Sequence, residues 1–405
     1  MSILSDSYCN WAFGEISRYG KIALEVLQIQ IAQLGFQPHI HFELEGGFMP
    51  YDLGDAKGRS TLDYTAVNRD LAEHSIQGHL KPEFWCYQWE YASNFDRQTP
   101  LKVAKDLQWV MTNLSDLLKK HGAQEVYIKP VVWGGDKGRL APECDSIFSA
   151  ATESVHVPNA IQINISATDE NQENIIARQG VGECLQACFL DTSRECSLLY
   201  LPEPEAFERL RLKNQFGLSR ELSSPSDLSG GHQGSVALYR EKGKHNQLMG
   251  EIPLLFDAKN NVISSEQEWR PLSRVEHRLG ASSMLFNPYA ASVFAMANLS
   301  DSLQKVYETT ELTSTKRDRT HANRPNETIL RELPTSLYGQ GIQLGAVELF
   351  EQSRWLENKI DECVVQTVTD HSKAIPSNLG GLFKQAVLSL YRKSIARPNV
   401  SGEFV

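Results

Sequence analysis

The sequence predicts an α+β fold, an antiparallel β-sheet backed by helices. Two patterns carry that expectation. Residues 36–45 alternate apolar and polar side chains with the two-residue period of a half-buried strand, whereas residues 14–34 repeat their apolar side chains with helical period. The order in which such segments follow one another along the chain fits the same class.

The elements read as follows. Over residues 14–34, Ile22, Leu24, Val26, Leu27, Ile29, Ile31 and Leu34 form one broad apolar face of a helix, which Gly35 ends. In the strand at 36–45, Phe36, Pro38, Ile40, Phe42 and Leu44 share one face. Gln37, His39, His41, Glu43 and Glu45 share the other. Gly46-Gly47 is expected to break it. Residues 85–91 form a second strand carrying Gln88 and Glu90. A helix at 101–120 closes at His121-Gly122. Residues 126–133 are apolar and β-rich, 159–166 are a strand, 175–190 a helix, and 206–212 a short basic segment. Residues 222–233, rich in Ser, Gly and Pro, read as a loop that could serve as a flap. Strands follow at 236–239, 252–256 and 274–278, then a helix at 288–306, a polar surface excursion at 310–326, helix at 346–368, a last amphipathic helix at 380–395 and a tail from Pro398. No internal repeat is visible.

Composition narrows the class. The chain has 405 residues, 41% hydrophobic and 22% charged, which is ordinary for a globular protein. A net charge of -10 argues against a general nucleic-acid binder, whose footprint would be basic. No stretch is apolar enough to span a membrane, and the N-terminus lacks the pattern of a signal peptide. Seven scattered cysteines fit reduced, buried thiols and a cytoplasmic location.

The chemistry concentrates in Arg274-Val-Glu-His-Arg278. In a strand, Arg274, Glu276 and Arg278 point to one face. Two guanidinium groups on one face repel each other unless an anion lies between them. A carboxylate between them suggests a metal, and a metal with arginines suggests phosphate. A solvated charged edge strand would carry the same pattern.

This segment, with the Asn287-Pro-Tyr289 that follows and an Ala-rich helix at 290–299, resembles the end of the active site in the glutamine synthetase family. The resemblance implies that Arg274 lies in a nucleotide site, that Glu276 binds a metal and that Arg278 contacts the substrate carboxylate and transferred phosphate. It implies a curved antiparallel sheet with helices behind it. Glu43-Leu-Glu45 resembles the family's Glu-x-Glu strand, whose carboxylates hold two different divalent ions. Gln88-Trp-Glu90 resembles its Gly-Gln-x-Glu segment, making Glu90 a ligand, with Tyr87 in place of the glycine. Glu83 stands one residue closer to Glu90 than the family's next ligand glutamate does. Lys129-Pro130 resembles the family's Lys-Pro strand. The third metal strand departs from the pattern, with Gln162 and Asn164 where the family has two histidines, and an amide oxygen suits Mg²⁺ better than softer ions. Arg209 matches the family's carboxylate-binding arginine, with Phe207 for its tyrosine. The flap's Pro-Gly-Tyr-Glu-Ala-Pro run has no counterpart, and its place falls near residues 229–234. Lys242 and Lys244 stand near the place of two nucleotide-site arginines, without the bidentate fork. With the Glu-x-Glu strand at residue 43, the resemblance covers the catalytic domain only, over residues 15–375, between an N-terminal extension (1–14) and a C-terminal helix and tail (376–405).

The function so implied is an ATP-dependent carboxylate–amine ligase using Mg²⁺ or Mn²⁺, acting through an acyl phosphate on glutamate or a related acid and an amine. A homo-oligomer is expected, with small-molecule substrates and neither nucleic acid nor membrane as partner. Two alternatives stay open: phosphoryl transfer on the same scaffold, and a binding or regulatory homologue that has lost catalysis.

Overall fold

In the computed structural model, the structure describes residues 7–50, 62–83, 87–95, 98–134, 139–140, 155–215, 235–240, 255–256, 262–263, 270–313, 345–367 and 375–395. Its centre is a seven-stranded sheet. The strands are β1 (Gln37–Pro50), β2 (Gly78–Pro82), β3 (Gln88–Ser93), β4 (Ala123–Tyr127), β8 (Ile161–Thr168), β9 (Val236–Tyr239) and β12 (Arg274–His277). The order is β2-β3-β1-β8-β12-β9, with β4 pairing the far end of β1. Every pair in it is antiparallel. Smaller strands β5 (Val131–Gly134), β6 (Arg139–Leu140) and β7 (Val155–Pro158) form a second sheet, and β10 (Leu255–Phe256) pairs with β11 (Val262–Ile263).

One face of the large sheet is apolar. Ile40, Phe42, Leu44, Ile161, Ile163, Ile165 and Val275 are buried there. They pack against α1 (Ser7–Gln33), α3 (Pro100–Lys120), α4 (Val181–Ser193) and α6 (Pro288–Thr313). His277 belongs to this core. It accepts or donates at 3.1 Å to Ser193 Oγ and lies among the rings of Phe189, Tyr200 and Phe294. Burial holds its imidazole well below the usual range, at about 3, so it is neutral.

Several elements differ from the sequence reading, each for a local reason. β1 does not stop at Gly46-Gly47 but runs to Pro50. A Cβ on Gly46 would lie 2.2 Å from the ring of Trp89, so the glycine lets that indole lie across the strand, where its Nε1 donates to Gly47 O at 3.0 Å. Of the strand expected at 85–91, Trp85 and Cys86 lie outside the described residues, Tyr87 is a turn, and β3 runs from Gln88 on to Ser93. The apolar stretch 126–133 is two strands parted at Ile128-Lys129-Pro130. The helix expected from 175 begins at Val181, because Gly180 at φ +89° caps it while a 3₁₀ turn holds Ile175–Ala177. Residues 206–212 belong to a longer helix, α5 (Pro204–Gln215). The helix expected at 346–368 is two, Ala346–Gln352 and Trp355–Thr367, broken where Ser353 turns to extended backbone.

Two elements were not anticipated. Helix α2 (Tyr64–Glu73) is capped by Asp63, whose Oδ1 accepts from Ala66 N at 3.0 Å, and it leads into β2. The residues 222–233, Ile252 and the excursion beyond Thr313 lie outside the described residues.

Candidate functional site

The sheet's other face is polar, and its register assembles the site. Residues directly opposite in an antiparallel pair share a face. Glu45 stands opposite Glu90, and Glu43 opposite Gln162. Asn164 stands opposite His41 on one side and Glu276 on the other. Arg274 faces Tyr239, and Lys81 faces Glu90. The pairing therefore sets one row across five strands, from Lys81 through Glu90, Glu45, Glu43, Gln162, Asn164 and Glu276. Arg274 and Arg278 flank Glu276 along β12.

Beyond Lys81 and the half-buried Glu45, this row is shielded from water. Glu43, Glu90, Gln162, Asn164, Glu276 and Arg278 are all buried. Buried charge is tolerated only when paired, and the pairs are present. Arg278 Nη1 lies 3.2 Å from Glu276 Oε1 and donates to the Tyr239 hydroxyl at 3.3 Å. That hydroxyl donates to Glu276 Oε1 at 3.2 Å. Arg274 Nη2 is 4.0 Å from Glu276 Oε2, and its Nε donates to Asn164 Oδ1 at 2.8 Å. Asn164 Nδ2 in turn donates to Glu43 Oε1 at 3.4 Å. At the other end, Glu45 Oε2 accepts from Ala160 N at 2.7 Å, and Lys81 Nζ lies 2.7 Å from Glu90 Oε1. Burial first, and the charge of Glu43 second, push the Glu90 carboxyl up.

Arg209 projects from α5 and is also buried; its Nη1 donates to Leu279 O at 3.4 Å, beside Arg278. Glu83 sits half-buried just after β2, its N–H bonded to Gln88 O. Lys242 and Lys244 lie outside the described residues. Asn287-Pro-Tyr289 has a structural role. Asn287 Oδ1 accepts from Tyr289 N and Ala290 N, each at 3.1 Å, and so caps α6 with Pro288 in its first turn.

Among the described residues, no three Asp, Glu, His or Cys side chains converge closely enough to form a metal centre by themselves. The donor set is mixed instead. Gln162 Oε1 is buried on the row with no hydrogen-bond partner among the described residues. Gln162 stands opposite Glu43, two residues along β8 from the Asn164 that faces Glu276, and a neutral oxygen beside these carboxylates suits a hard cation such as Mg²⁺, which Glu43, Gln162 and Glu276 would hold.

A cavity of about 350 Å³ opens on the same face, beyond Asn164, lined by His39, His41, Phe95, Ser166, Thr168 and Ser273 among others. The Arg274 guanidinium lies over two rings, 5.0 Å from the centre of Phe95, which lines the cavity, and 4.3 Å from that of Tyr239. Burial and Arg274's charge keep His41 neutral by lowering its pKa. Sequence reasoning overlooked Phe95, Tyr239 and Lys81. Tyr239 and Lys81 are marked only by register, and Phe95 stands just past the end of β3.

No family model matches the sequence, and no curated protein matches it. The fold is nonetheless a defined one, the α+β architecture of glutamine synthetase-like proteins. A solved structure described as a novel glutamine synthase homologue aligns with 93% of this chain and 70% of its own, at TM-score 0.51 and 11% identity. GmaS without ligand (TM-score 0.51) and GmaS in complex with ADP (TM-score 0.52) each align with 94% of this chain and 75% of theirs, both at 11% identity.

Proposed function

We propose that the chain is an ATP-dependent carboxylate–amine ligase of the glutamine synthetase type. The observation that carries this reading is the register that sets Glu43, Gln162, Asn164 and Glu276 in one buried row, with Arg274 and Arg278 on either side of Glu276 and a cavity beyond. The solved relative holding ADP supports a nucleotide in such a fold.

In this reading the nucleotide takes the cavity, with its base against Phe95 and its phosphates reaching Arg274. Glu43, Gln162 and Glu276 would hold Mg²⁺, which would supply positive charge against the phosphates. Arg209 and Arg278 orient the acid's carboxylate. Arg278 also stands where charge builds on the transferred phosphoryl group. The carboxylate oxygen attacks the γ-phosphorus as ADP leaves, giving an acyl phosphate; an amine then attacks the acyl carbon, phosphate leaves and the amine gives up a proton. Positioning and charge neutralisation supply most of the rate. The acid is glutamate or a related one. Neutral amides at 162 and 164 favour, as a second reading, a binding homologue without turnover.

Calorimetric titration with ATP and Mg²⁺, beside the variant E276Q, tests the proposal. Binding that requires Mg²⁺ and falls at least tenfold in the variant supports it, since about 1.4 kcal/mol separates each factor of ten. ADP release on adding an acid and an amine then distinguishes ligase from binding homologue. No ATP binding in the wild-type protein rejects the proposal.

A further inference from the structure

One end of the carboxylate row carries its own cation. β2 runs antiparallel to β3 with Lys81 directly across from Glu90, so both side chains lie on the site face. The ammonium nitrogen is 2.7 Å from Glu90 Oε1, and Glu90 is only 1% exposed. Glu83 and Glu43 also act on Lys81 electrostatically. A buried carboxylate needs a counter-charge, and here the protein supplies it. The neighbouring Glu45 has one carboxylate oxygen engaged by the Ala160 N–H at 2.7 Å. Glu45 and Glu90 thus each have one carboxylate oxygen set against an N–H or ammonium group of the chain. One strand further on the situation is reversed. Gln162 is 3% exposed, and its Oε1 has no hydrogen-bond partner among the described residues.

We infer that Lys81 is a resident cation of the site, standing where the resemblance calls for one of two divalent ions, so that this chain binds a single metal ion at Glu43, Gln162 and Glu276. The inference rests on the proposed function. An ammonium brings one positive charge and three hydrogen-bond donors to oxygens that would otherwise bind a divalent ion. A second metal ion at Glu45 and Glu90 would have to displace it against like-charge repulsion.

Counting bound Mn²⁺ tests this without relying on turnover. Free Mn²⁺ is followed by electron paramagnetic resonance as it is titrated into the wild-type protein, K81R and K81Q. Lys81 is half-exposed on an edge strand, and circular dichroism checks that these variants fold. We expect one ion per chain in the wild type and in K81R, which keeps the cation, and two in K81Q. A second ion in the wild type or K81R, or no gain in K81Q, overturns the inference while leaving the proposed function standing. No bound Mn²⁺ in any of the three overturns the proposed metal site itself, and the inference with it.

Discussion

Arg274 shows how much one side chain can be constrained. Its Nε is bonded to Asn164, its Nη1 donates to Leu272 O at 3.3 Å, and its plane lies over both Phe95 and Tyr239. A lysine keeps the charge but loses the fork and the stacking plane. R274K is therefore expected to weaken ATP binding about tenfold, roughly 1.4 kcal/mol, with little effect on the fold. Calorimetry reads the first and a thermal melt the second. Equal ATP affinity in the two proteins would remove Arg274 from the nucleotide site. The shared face of Arg274, Glu276 and Arg278 was legible because a strand's period is two. Phe95 was not, because it stands beyond the alternation in a segment with no period of its own.

Among the elements, α2 and α3 are clamped by a charge cluster. Asp70 Oδ2 receives Lys120 Nζ at 2.7 Å and His121 Nε2 at 2.8 Å. Those two bonds, Lys120's first, pull the Asp70 carboxyl from 3.8 down to about 2. Its folded pKa lies below its unfolded one, so the stability it contributes is complete above about pH 4 and is lost as pH falls toward 2. D70N should thus have a lower denaturant midpoint than the wild type at pH 7, and the gap should close over that acid window. A gap unchanged at pH 2 would refute the assignment. Little in the sequence pointed to this clamp. The helix over Tyr64–Glu73 is short, with buried Ala66, Val67, Asp70 and Leu71 among polar residues. In β2 only Leu80 is buried, with Lys81 and Pro82 exposed, so no alternation announced the strand. With β2 unread, Lys81 had no visible place opposite Glu90. The longer α3 was plain to read, with Thr99 and Pro100 starting it and Lys119-Lys120 ending it.

Across the whole molecule, β1 is the hub. It pairs with β3, β4 and β8, and its apolar face meets α1 and α3. Amide hydrogens in the middle of β1 and β8 are expected to exchange slowest of all, because only global unfolding frees them. Hydrogen-exchange mass spectrometry checks this, and faster exchange there than in α2 would contradict it. The fold class was readable since each face of β1 and β8 keeps one polarity. The missing information concerned which strands meet, a long-range property that local patterns do not encode.

The position of β12 between β8 and β9 has a consequence for how the protein is made. β8 pairs with β1 early in synthesis, but its second partner is encoded more than a quarter of the chain later. Until then a nascent chain presents Ile161–Thr168 as an open edge rich in isoleucine, the kind of edge that joins other chains. The same docking that brings Glu276 and its two arginines to the row also closes that edge. A newly made molecule therefore closes that edge and completes the row in a single step.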